Sequence, residues 1–149
     1  VDIIIHAAAL KQVPTAEYNP FQFIQTNVLG SQNVIEAALD TNVSQVVALS
    51  TDKAANPVNM MGASKRIMEM FLMRESLTQN ISMARFANVA FSDGSLLFGF
   101  NQRVAKRQPL AAPNDIHRYF ITPKEILCYN IVRLRKRITD RFDIILDGW

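Results

Sequence analysis

Cysteine is all but absent from this chain. Cys128 is the only one in 149 residues, so no internal disulfide can form, and a reducing cytoplasm is the expected compartment. Cys128 itself is expected to be a buried helix residue. No apolar run approaches the ~18–20 residues that cross a bilayer. No leader with a basic start, an apolar middle and a small-residue cleavage site is visible. Repeats and low-complexity segments are missing too. Excess charge is small: the formal net charge is +3, with 19% of residues charged. That balance suits an anionic small molecule and does not demand nucleic acid. The basic stretch from Arg133 to Arg141 reads as a solvated helix end, not a nucleic-acid patch. What is there is 49% apolar, enough for a core, in a length that suggests one domain.

Strands and helices alternate along the chain. Val1-Asp2-Ile3-Ile4-Ile5 is a β-branched run of the kind buried on both faces in the middle of a parallel sheet. A central strand at the first residue leads to the expectation that the chain is a piece whose first part is missing. Asn19 caps a helix, Pro20 takes its first position, and apolar spacing carries it to about Leu39. Gln45 to Ser50 is a second buried strand. A polar loop runs from Thr51 to Asn59, and a long helix from about Met60 to Leu77. Ile81 to Phe86 is a third strand, and Asn88 to Gly94 a loop. Ser95 caps a further helix, and His117 to Ile121 reads as a short strand. Thr122-Pro123-Lys124-Glu125 is a capping box opening a helix that ends in Arg133, Arg135, Lys136 and Arg137. The alternation predicts an α/β fold, a doubly wound parallel sheet with helices on both faces. Ligands of such sheets bind beyond the carboxyl ends of the strands. That selects three places: after Ile5, after Ser50 and after Phe86.

Each place carries unusual residues. Ala7, Ala8 and Ala9 let a flat ring or ribose approach the backbone, although alone they more readily describe a helix-packing stretch. Lys11 is a candidate phosphate contact. Ser50-Thr51-Asp52-Lys53 brings a hydroxyl, a carboxylate and an amine out of a buried strand, a set suited to moving protons. Met61 and Lys65, four residues apart, share one helix face. Without context they are ordinary helix residues.

The context comes from longer stretches. Ala48-Leu49-Ser50-Thr51-Asp52-Lys53-Ala54-Ala55-Asn56-Pro57-Val58-Asn59-Met60-Met61-Gly62-Ala63-Ser64-Lys65-Arg66 closely resembles the signature of the bacterial polysaccharide-biosynthesis dehydratases. These are the UDP-N-acetylglucosamine 4,6-dehydratases and their relatives, extended short-chain dehydrogenases with a Rossmann-like sheet. His6 to Pro14 with Glu17-Tyr18-Asn19-Pro20, Thr26 to Gly30, Ala84 to Val89 with Gly94-Ser95, and His117 to Thr122 resemble further family segments. The resemblance covers about Val1 to Glu125. It makes residues 1–125 the central part of an NAD(P)-binding domain with the start of a substrate region, and 126–149 a divergent or truncated tail.

The resemblance implies roles residue by residue. Ala7, Ala8 and Ala9 would line NAD or NADP, and Asn27 would hold the geometry beside the site. Thr51 takes the hydroxyl position of the short-chain dehydrogenase triad and Lys65 the lysine position. Met61 stands where tyrosine is usual, as it does in one branch of the family. Asp52 and Lys53 would be the dehydration acid and base, with Lys65 helping to lower the pKa of Lys53. Lys11, Asn88, Ser95 and Arg118 would reach a nucleotide-sugar substrate, Arg118 because guanidinium matches phosphate. No metal is implied. The glycine-rich G-x-G-x-x-G turn that holds a cofactor pyrophosphate would precede Val1. The implied activity is nucleotide-sugar 4,6-dehydration, in a cytoplasmic homo-oligomer whose parent chain has room for a membrane anchor upstream. An epimerase or reductase of the same fold and a catalytically silent nucleotide-binding module are the alternatives.

Overall fold

The computed structural model describes residues 1–111 and 117–128. The readings made on Arg133 to Arg141 and on the rest of the tail lie outside the described residues. Strand β1 (Ile3–His6) leads into helices α1 (Val13–Tyr18) and α2 (Pro20–Phe23). A π-helical segment (Ile24–Leu29) and helix α3 (Gly30–Asp40) follow without a break. Strand β2 (Gln45–Thr51), a 3-10 turn (Asp52–Ala54), helix α4 (Met60–Glu75) and strand β3 (Ile81–Phe86) complete the central unit. Beyond it lie β4 (Asn88–Val89), α5 (Leu96–Ala105) and β5 (Phe120–Ile121).

The three long strands form one parallel sheet in the order β1-β2-β3, with Ile4 opposite Val46 and Val46 opposite Ile81. Parallel crossovers are right-handed almost without exception, so consecutive neighbours put both crossover helices on one face. The core lies there. Ile35 and Ala38 of α3 and Met68 and Leu72 of α4 pack on Val46, Ala48 and Ile81, with Ile4 and Met83 against them. These residues make one winding of a doubly wound sheet. A second cluster joins Ala16, Phe23 and Met61, with Leu10, Val13 and Met60 around them.

Several boundaries follow the local chemistry. The Asn59 side chain accepts from the Gly62 N–H (2.8 Å), which starts α4, and Ser95 Oγ accepts from the Phe98 N–H (3.3 Å), which starts α5. The capping box forms: Thr122 donates from N–H and Oγ1 to Glu125 Oε2 (2.6 and 2.7 Å), and the Glu125 N–H donates back to Thr122 Oγ1 (3.3 Å). Residues 123–128 are helical.

β1 is an edge strand among the described residues, with Ile3 and Ile5 43% and 49% exposed. Two expectations need correction. Cys128 is exposed, on a helix of which only Ile126 is half-buried. The stretch before Asn19 contains α1, and Asn88–Val89, read as loop, pairs in parallel with Phe120–Ile121.

Candidate active site at the strand ends

The end of β2 gathers the first group. Thr51 Oγ1 donates to Asp52 Oδ1 (2.8 Å), and the Lys53 N–H donates to the same carboxylate oxygen (2.9 Å). Lys53 Nζ lies 3.0 Å from Asp52 Oδ1 and 3.1 Å from Asn88 Oδ1. The acid and base candidates are therefore side by side and half-buried, with solvent access to both. Asn88, expected at the nucleotide, holds Lys53 and donates to the Tyr119 carbonyl (3.3 Å). That bond ties β4 to the strand preceded by Arg118, which is exposed.

Helix α4 supplies the second group. Gly62 is required at its first turn: a Cβ there would lie 2.6 Å from the Lys53 carbonyl oxygen. The close approach presses α4 against the 3-10 turn. Met61 and Lys65 are both buried, at 4% and 6% exposure. Met61 packs in the cluster with Ala16 and Phe23, so a thioether that transfers no proton occupies an apolar wall. Lys65 Nζ donates to the Leu49 carbonyl (3.0 Å) and lies 3.5 Å from Met68 Sδ. Burial lowers its pKa from 10.5 to about 8, with the charge of Glu69 partly offsetting the effect.

Asn27 joins the strand ends to α4. It sits fully buried in the π-helical segment, a distortion that recurs at functional sites. Its Oδ1 accepts from the Leu10 N–H (2.8 Å), and its Nδ2 donates to the Leu10 carbonyl (2.9 Å) and to Ser64 Oγ (3.0 Å). The loop carrying Ala7, Ala8 and Ala9 is thereby fixed to the helix carrying Lys65. Ser31 Oγ donates to the Asn27 carbonyl (2.8 Å) and lies 2.8 Å from His6 Nε2. The one hydroxyl proton is committed, so His6 Nε2 carries the hydrogen of a neutral ring. Burial, then the charge of Lys65, holds the His6 pKa below its ordinary value.

The rest of the expected set is more loosely gathered. Ala7 and Ala8 are exposed and Ala9 half-buried just past β1, leaving room for a flat group beside the backbone. Lys11 Nζ donates to Ser92 Oγ (3.3 Å), and the Ser95 hydroxyl caps α5. Among the described residues no three His, Cys, Asp or Glu side chains cluster as metal ligands, and no helix is long and apolar enough to cross a membrane. Sequence reasoning missed the Ser50–Glu69–Arg85 cluster beneath the site. Its signal was a carboxylate one helical turn after Lys65, on the same face, and an arginine inside an apolar strand.

Residues 1–134 match the model of the family described as polysaccharide biosynthesis protein. The chain belongs to that family. Over 111 residues it is 45% identical to a UDP-N-acetylglucosamine 4,6-dehydratase (inverting) of Campylobacter jejuni, covering 71% of this chain and 33% of that protein. Over 115 residues it is 44% identical to a UDP-glucose 4-epimerase of Rickettsia canadensis, covering 74% and 34%. The chain thus spans about a third of the length of these relatives. It superposes on a dTDP-glucose 4,6-dehydratase of Streptomyces venezuelae, solved with NAD bound, at a TM-score of 0.78 and 23% identity, covering 88% of this chain and 47% of that one. The fold is that of the Rossmann-type short-chain dehydrogenases.

Proposed function

We propose that this chain is the central part of a nucleotide-sugar 4,6-dehydratase, working on UDP-N-acetylglucosamine in surface-polysaccharide synthesis. The observation that carries the reading is the Asp52–Lys53 pair at 3.0 Å, at the end of β2 and against the first turn of α4. Oxidation and reduction at C4 alone need one proton acceptor. Loss of water across C5 and C6 needs a base and an acid besides, and this pair supplies both.

NAD or NADP suits the small residues Ala7, Ala8 and Ala9 beyond β1 and the buried ammonium of Lys65, which has donor capacity left beyond Leu49. When bound, it would accept a hydride from C4 and return it at C6. Lys65 would hold the nicotinamide ribose. Thr51 through a water chain, or Asp52, would take the C4 hydroxyl proton, since Met61 cannot. With a ketone at C4 the C5 proton is acidic. Lys53 would remove it while Asp52 protonates the departing C6 hydroxyl. Lys11, Ser95 and Arg118 would contact the nucleotide diphosphate, and Asn88 would reach it only by sharing its carboxamide with Lys53. Exposed Phe21 on α2, Leu29 on the π-helical segment, and Ile67 and Met70 on neighbouring α4 support a homo-oligomer of the parent protein.

A 4-epimerase is the second reading, favoured by the Rickettsia relative. The full-length protein incubated with UDP-N-acetylglucosamine in heavy water separates the two. Dehydration gives a 4-keto-6-deoxy product carrying deuterium at C5, visible by NMR, and Lys53→Ala blocks it while C4 hydride transfer persists. A C4 epimer with no label at C5 rejects the dehydratase.

A further inference from the structure

Helix α4 carries a second buried ion one turn beyond Lys65. Glu69 is 3% exposed. Its Oε1 accepts from Ser50 Oγ (2.7 Å) and Arg85 Nε (2.8 Å), and its Oε2 from Arg85 Nη2 (2.7 Å) and Arg66 Nη1 (3.3 Å). A buried carboxylate persists only when paired and hydrogen-bonded, and this one is engaged at both oxygens. Burial alone would raise its pKa. Hydrogen bonds from Arg85 and Ser50, with the Arg85 charge, outweigh that and hold it below the usual carboxylate value.

The connectivity is a closed ring. Lys65 and Glu69 are one turn apart on a single face of α4, and Leu49 and Ser50 are neighbours in β2. Lys65 donates to the Leu49 carbonyl while Ser50 donates to Glu69. Helix and strand are therefore joined at two successive points, and Arg85 brings β3 to the same carboxylate.

We propose that Glu69 is a positioning residue for Lys65: held by Ser50 and Arg85, it docks α4 on the end of β2 so that the Lys65 ammonium meets the Leu49 carbonyl. The value of this for catalysis rests on the role given to Lys65 above; the docking does not. The titratable groups on the surrounding elements are His6 on β1, Glu17 on α1, Glu36 and Asp40 on α3, Asp52 and Lys53 after β2, Arg66, Arg74 and Glu75 on α4, and Arg85 on β3. Glu69 is the group whose charge favours the ammonium of Lys65. Glu69→Gln leaves Lys65, Arg66 and Arg85 together with no carboxylate among them.

The test is heteronuclear NMR of the 149-residue chain with isotope-labelled lysine, titrated with pH, Lys65 being assigned by its loss in Lys65→Met. Lys65 should titrate near 8. In Glu69→Gln its midpoint should fall by about one pH unit, the effect of losing an opposite charge nearby, and Glu69→Asp should restore most of it. A folded Glu69→Gln chain whose Lys65 midpoint equals the parent's overturns the proposal. Ser50→Ala keeps every charge and covers the case in which Glu69→Gln does not fold. It should speed exchange of the Lys65 ammonium protons with water, and unchanged exchange counts against the docking. No substrate is involved, so a parent enzyme that fails to dehydrate would sink the functional reading and leave this one standing.

Discussion

Lys65 and Met61 share a helix face and burial but differ in what they can do. Met61 fills an apolar cluster with Ala16 and Phe23. In the parent enzyme Met61→Leu, nearly volume-conserving, should cost less than about 1.5 kcal/mol of stability and less than about tenfold in rate. Lys65→Ala should cost far more in rate, because it removes the buried cation that meets the Leu49 carbonyl. Steady-state and single-turnover kinetics compare the two. A Met61→Leu enzyme as inactive as Lys65→Ala, with its circular dichroism intact, would mean the thioether has a specific role. Gly62 makes a sharper demand. An added methyl would sit 2.6 Å from a backbone oxygen that cannot swing away. Gly62→Ala should therefore destabilise by about 1–3 kcal/mol, as overpacking does, measured by denaturant unfolding. An unchanged midpoint would show that the 3-10 turn yields freely.

At the scale of elements, the π-helical segment is the joint on which the site turns. Asn27→Ala would leave both the N–H and the carbonyl of Leu10 without their side-chain partner. The expected loss is about 2–3 kcal/mol, from leaving polar groups unpaired, with faster hydrogen exchange at the Leu10 amide. Exchange no faster than in the parent would mean water replaces the carboxamide. Much of the element pattern was legible beforehand. Ile81–Phe86 is a strand as read, and Asn59, Ser95 and Thr122 begin their helices where side-chain oxygens stand before apolar spacing. The π turn was not legible. Its apolar spacing reads as one continuous helix from Pro20, and the distortion is fixed by Asn27 bonding to a loop seventeen residues away. At β1, β-branched composition marks a strand, whereas its neighbours decide how far Ile3 and Ile5 are covered. At the site, Thr51, Asp52 and Lys53 were visible as a cluster because they adjoin in sequence. The partnership of Glu69 with Arg85 joins residues far apart in the chain and appears only once α4 lies on β3.

For the whole molecule, three buried ionisable groups on one side of the sheet set how stability follows pH. His6 has a lowered pKa, so the unfolded chain takes up its proton first as pH falls below 6.5, and stability declines there. Glu69 also has a lowered pKa, so its contribution is present above its unfolded value of 4.5 and is lost as pH falls through the folded one. Lys65 acts at the other end. Below about 8 it is charged in both states, and the folded state bears the full burial penalty. Between about 8 and 10.5 the unfolded chain holds a proton that the folded chain has released, so stability rises with pH across that window. The full shift corresponds to roughly 3 kcal/mol, at ~1.4 kcal/mol for each pH unit. The protein should therefore be steadier at moderately alkaline than at neutral pH as far as Lys65 is concerned. Lys65→Met isolates that contribution, since other titrating groups are common to both chains. The unfolding free energy of the parent minus that of Lys65→Met should climb from about pH 8 and level off near 10.5, followed by denaturant titration at closely spaced pH values. A difference that stays flat across the window would place the Lys65 ammonium in contact with water, and the Leu49 carbonyl would then be held by solvent as much as by lysine.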